Sequence, residues 1–129
     1  MEPQQDDVGP GLAKDRLGRY GEDLAAQHLE AAGMRLLECN WRCREGELDI
    51  VARDAGALVF CEVKTRRGTG YGHPAEAVTL AKQRRIRTLA QRWLAAHDEN
   101  APEIRFDVVG VLVRRDLPPE ITHYPAAFS

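Results

Sequence analysis

No run in this sequence approaches the roughly 18 consecutive apolar residues that a membrane-crossing helix requires. The opening MEPQQDDVGPGL is polar, acidic and rich in proline and glycine, and it lacks the basic start and apolar core of a secretion signal. Residues 1–12 are therefore expected as a flexible N-terminal tail. Cysteine is scarce and odd in number: Cys39, Cys43 and Cys61 cannot all pair internally. Reduced thiols in a cytoplasmic protein are the simplest reading. Cys39 and Cys43 have no second Cys or His pair at zinc-finger spacing, so a structural role is expected for them. Internal repeats and low-complexity segments are absent as well.

What remains is an ordinary globular composition, 43% apolar and 29% charged over 129 residues. That length fits one domain, expected over residues 13–129, with a single core and no disulfides. The net charge of -2 conceals an asymmetry. Residues 1–30 carry three basic and seven acidic groups, whereas residues 61–95 carry eight basic groups and two acidic ones. The local excess (Lys64, Arg66, Arg67, Lys82, Arg84, Arg85, Arg87 and Arg92) suits a polyanionic partner. A solvated helix face would carry the same charge.

Spacings of three and four among Leu17, Gly21, Leu24, Ala25 and His28 predict a helix over 13–32, stopped by Gly33. MRLLECNWR reads as a strand, followed by two more over roughly 47–53 and 58–64. The glycine-rich RGTGYG precedes His73 and Pro74, and Pro74 fits the first turn of a second helix running to about His97. EIRFDVVGVLVRR is a further strand, and PPEITHYPAAFS is expected to add only a short edge piece. The order α-β-β-β-α-β defines an α/β fold, a mixed β-sheet flanked by helices.

The segment GELDIVARDAGALVFCEVKTR places acids where strands usually place apolar residues. Side chains alternate along a strand, so Asp49 shares a face with Glu47, Val51 and Arg53, and Glu62 with Leu58, Phe60 and Lys64. A hairpin turning at Ala55-Gly56, or a four-residue loop over 54–57, pairs Arg53 with Leu58, Val51 with Phe60 and Asp49 with Glu62. The two acidic side chains then lie about 4.5–5.5 Å apart at Cβ. A slip of one residue would separate them to opposite faces. Facing carboxylates repel, and three arrangements would compensate: a bridging divalent cation, an ion pair with Lys64 or an arginine, or a raised pKa on one acid. A plain exposed hairpin face would also carry such residues.

The helices supply further candidates. Glu22 falls at the edge of the first helix's apolar stripe, whereas Asp23 and Glu30 point to solvent. In the second helix Val78, Ile86, Leu89, Ala90 and Trp93 form the stripe, and Lys82 falls inside it. A lysine there must snorkel, pair with a buried acid or enter a polar pocket. Gln83 lies at the stripe's edge, and Arg84 and Arg87 face outward.

The spacing Asp49, twelve residues, then Glu62-Val63-Lys64 resembles the motif of the PD-(D/E)xK nuclease superfamily, which includes restriction endonucleases and Holliday-junction resolvases. More closely, GEDLAAQHL, GELDIVARD, LVFCEVKTR, YGHPAEAV, KQRRI, RFDVVGV and ITHYPAAF resemble the YraN-like family of uncharacterised bacterial proteins, over about residues 17–128. The resemblance implies a restriction-endonuclease-like core and metal-dependent hydrolysis of DNA phosphodiester bonds, on branched or damaged DNA. It assigns Mg²⁺ or Mn²⁺ to Asp49, Glu62, Glu22 and the main-chain carbonyl of Val63, with Lys64 assisting the attacking water. Lys82, Gln83, Arg84, Arg85, Arg87 and Arg66 would contact nucleic acid. Leu48 stands where the superfamily motif has its proline, which many members also lack. The likeness to resolvases implies a homodimer, although no self-complementary surface is legible. Two other readings stay open: a nucleic-acid-binding module with the nuclease fold and little catalysis, and a protein-interaction subunit. Asp107, another strand acid, either reaches the site or pairs with Arg105 or another base.

Overall fold

Alternation along residues 46–67 folds that segment into the hairpin on which the sheet is built. The computed structural model describes residues 10–68 and 78–129, with side chains from residue 15 onward in the first helix. Its elements are α1 (Pro10–Ala31), β1 (Arg35–Cys43), β2 (Gly46–Asp54), β3 (Ala57–Arg67), α2 (Leu80–Ala96), β4 (Glu103–Val113) and β5 (Glu120–Phe128). The five strands form one sheet in the order β1-β2-β3-β4-β5. β3 and β4 are parallel and the other neighbours antiparallel, so α2 lies in the crossover between β3 and β4.

Each helix supplies one apolar stripe to one face of the sheet. Ala25 and Leu29 of α1 pack on Ile50, Ala52, Val59, Cys61, Val63, Val109 and Val111. Ile86, Leu89, Ala90 and Trp93 of α2 pack on Val51, Leu58, Phe60, Phe106 and Val108. Trp93 and Phe60 meet edge to face, with ring centroids 5.8 Å apart.

Three boundaries differ from expectation. α1 begins at Pro10, inside the stretch expected as a tail, while residues 1–9 lie outside the described residues. α2 starts at Leu80, because the Thr79 side chain accepts a hydrogen bond from Lys82 N at 3.1 Å and caps the helix. Pro74 therefore does not open α2, and it lies outside the described residues with His73 and residues 69–72 of the RGTGYG loop. The C-terminal segment forms a nine-residue strand rather than a short edge piece. Pro125 is tolerated because β5 is an edge strand and its pairing with β4 shifts register there, between Phe106 and Val108.

Candidate active site

The β2–β3 ladder pairs Arg53 with Leu58, Val51 with Phe60 and Ile50 with Cys61. Continued by one residue, this register sets Asp49 opposite Glu62. At that point the Asp49 Oδ2 accepts from Val63 N at 2.8 Å. This bond pins the carboxylate to the neighbouring strand, at the residue between Glu62 and Lys64.

Glu62 is only 7% exposed. Its Oε2 lies 2.8 Å from Lys82 Nζ, which reaches down from the apolar stripe of α2. Of the three alternatives for Lys82, pairing with a buried acid is the one observed. Among the described residues, Asp49 has no ion pair of its own. Burial, then the charge of Glu62, pushes its carboxyl up to about 8, against the Val63 N–H; Glu22 adds to the rise and Lys82 opposes it.

Glu22 approaches from α1. Its Oε1 accepts from Asn40 Nδ2 at 2.8 Å. Burial raises its carboxyl above the usual range against that bond, and the charges of Glu47 and Glu62 add to the effect. α1 reaches β3 this closely because residue 21 is glycine: a Cβ there would stand 1.9 Å from Thr65 Oγ1. Lys64 is half-buried and lines a groove with Glu22 and Val63, and its side chain makes no hydrogen bond or ion pair among the described residues.

The remaining cations split into two groups. Arg84 and Arg85 are exposed on α2. Gln83 Nε2 donates to Val78 O at 3.1 Å, and Arg87 Nη1 donates to Ser129 O at 2.7 Å. Lys82 is committed to Glu62, so the structure puts it in the site rather than on the outer face. Arg66 lines the groove along α1 with Lys64.

Among the described residues, no three His, Cys, Asp or Glu side chains are gathered closely enough to hold a metal ion by themselves. The arrangement does fit a cation that takes two carboxylates and completes its shell with water and phosphate, as Mg²⁺ commonly does. Two facing acids, with Asp49 raised in proton affinity, are the donor set such a cation would relieve.

Asp107 is fully buried and belongs elsewhere. It accepts from Arg105 Nε and Nη2, both at 2.9 Å, from Ala126 N at 3.0 Å, and lies 2.7 Å from His123 Nε2. Burial alone would raise its carboxyl, but these partners outweigh it and hold it at about 2. Sequence reasoning missed Asn40 and His123. Asn40 carried a usable signal, a strand-averse residue between Cys39 and Trp41; it adopts a positive φ of 56° that asparagine tolerates.

A mixed sheet with a helix on each face and acids on its central hairpin is the restriction-endonuclease-like fold. Residues 21–111 match the uncharacterised protein family UPF0102, and the chain belongs to that YraN-like family. A family member from Frankia casuarinae is 56% identical over 116 residues, covering 90% of this chain and 98% of its own. One from Acidothermus cellulolyticus is 50% identical over 131 residues, covering 94% and 99%. Another, from Nocardia farcinica, is 56% identical over 115 residues, covering 89% and 91%.

Proposed function

We propose that this protein is a metal-dependent nuclease that hydrolyses DNA phosphodiester bonds, acting on branched or damaged DNA. The observation that supports it most is the Asp49–Glu62 pair, two facing acids of which one is pinned by Val63 N and carries a raised proton affinity. Asp49, Glu62 and the Val63 carbonyl would hold Mg²⁺ or Mn²⁺, with Glu22 reaching the ion through a bound water. Such a cation supplies Lewis-acid polarisation of a phosphoryl oxygen and a more acidic bound water. Lys64, uncommitted among the described residues, orients that water or meets the developing negative charge as a compact point cation. Lys82 holds the Glu62 carboxylate in place before substrate arrives. Arg84 and Arg85 are exposed to take phosphate contacts. Three unpaired cysteines and no membrane-length apolar helix among the described residues are in keeping with a cytoplasmic setting.

A binding module without catalysis is the second reading, favoured by Lys82, which already neutralises Glu62. Two measurements separate the readings. Mn²⁺ should raise the Tm of the wild type and shift Asp49→Ala much less; equal shifts would remove the metal site. Incubated with branched, flapped, single-stranded and duplex DNA in Mn²⁺, the wild type should cut and Glu62→Ala should not. Identical trace cleavage by both would leave only the binding module.

A further inference from the structure

Two grooves run end to end along α1, away from the acids. The first, of about 340 Å³, starts at Glu22 and Val63 and is walled by Lys64, Arg66 and Arg67. The second, of about 310 Å³, continues from Leu17 and Arg67 to Arg16 and Tyr20. Each has the volume of a small-molecule site, enough for a nucleotide and too little for a duplex. The path carries four cations against one acid, Glu22. Tyr20 stands at its far end with 45% of its surface exposed, an aromatic ring in the same groove as Arg16 and Arg67. The groove on the other side of Glu22 has the opposite balance, with Asp15, Glu22 and Glu47 against Arg19 and Arg42.

We propose that the α1 groove binds a single strand of DNA leading away from the acid pair, its phosphates on Arg16, Lys64 and Arg67 and a base stacked on Tyr20. The proposal rests on the nuclease reading and extends it: the substrate has a single-stranded arm next to the cleavage point. A cationic groove with an exposed aromatic is how proteins hold single strands without reading sequence. Arg67 serves both grooves, so it bridges the reacting end and the stacking end. The outer face of α2 then becomes a secondary contact.

Fluorescence anisotropy with a labelled oligo-dT strand, over a range of salt, tests this. Tyr20→Ala should weaken binding roughly 5- to 150-fold, the range for loss of one stacked base, and Tyr20→Phe should bind like the wild type. Arg16→Glu with Arg67→Glu should weaken binding further and flatten its salt dependence. These three positions are exposed, so circular dichroism should show native folds. Wild-type affinity in both α1 variants, with loss only in Arg84→Glu plus Arg87→Glu, would overturn the proposal. A preference for a poly-glutamate peptide over oligo-dT would do so too. Mn²⁺-dependent cutting by wild type but not Glu62→Ala, in those same cases, would leave the nuclease reading standing without this groove.

Discussion

Lys82 stands where a helix would ordinarily bury leucine, and it is held there by Glu62. The pair is asymmetric: Glu62 side-chain exposure is 8%, that of Lys82 35%. Removing the cation leaves the acid buried without a counter-charge. Lys82→Met should therefore cost about 1–3 kcal/mol in metal-free buffer, allowing for solvent screening of the lysine. Mn²⁺ should restore more stability to this variant than to the wild type, because the cation takes over the missing charge. Urea titrations with and without Mn²⁺ would show it, and a variant indifferent to both changes would refute the role given to Lys82. The problem Lys82 poses was legible in the sequence, since a lysine inside a stripe needs a partner. That partner's identity came only from the docking of α2 on β3.

Two elements are held by contacts of very different kinds. α1 lies on β3 through Gly21, with no room for a methyl group against Thr65. Threonine is branched at Cβ and cannot swing clear. Gly21→Ala should thus lose about 1–3 kcal/mol despite its better helix propensity, and should lower activity by lifting Glu22 away from Val63. A variant as stable and active as the wild type would mean α1 can shift freely. β5 is held by its ladder with β4, by Phe128 stacked on Phe106, and by a buried charge. Asp107 gathers Arg105, His123 and the Ala126 N–H, which has lost its ladder partner at the bulge.

The pH dependence of that latch has a definite sign. An unfolded aspartate takes up its proton near pH 4, while folded Asp107 does so only at about 2. The stability it contributes is complete above about pH 4 and disappears as pH falls toward 2. Thermal melts from pH 6 to pH 2 should show this decline in the wild type. Asp107→Asn should be less stable at pH 6 by about 3 kcal/mol and should lack that part of the decline; parallel melting curves for the two proteins would rule the latch out. β5 was underestimated in the sequence because proline normally demotes a strand, and its bulge depends on a carboxylate on another strand. The start of α2 is ambiguous in sequence for a related reason: proline and threonine both mark helix starts, and only the Thr79 geometry separates them.

At the scale of the whole molecule, what proved legible was local. The β2–β3 register follows from a two-residue turn, and with it the confrontation of Asp49 and Glu62. What proved illegible crosses the chain: Asn40 on Glu22, His123 on Asp107, and the groove from Val63 to Tyr20. Those contacts join α1 to β1 and β3, and β5 to β4, so they depend on how whole elements dock rather than on local pattern.

The same division has a consequence in time. A hairpin closes in microseconds, whereas a parallel pair waits for its crossover. The two acids of the β2–β3 hairpin therefore meet before α2 can deliver Lys82. Their repulsion would then be present at the folding barrier and mostly relieved after it. Asp49→Asn should speed metal-free refolding and unfolding together, because the repulsion it removes is greatest at the barrier. A stopped-flow chevron in which only the unfolding arm moves would mean the acids converge after the barrier, together with their lysine.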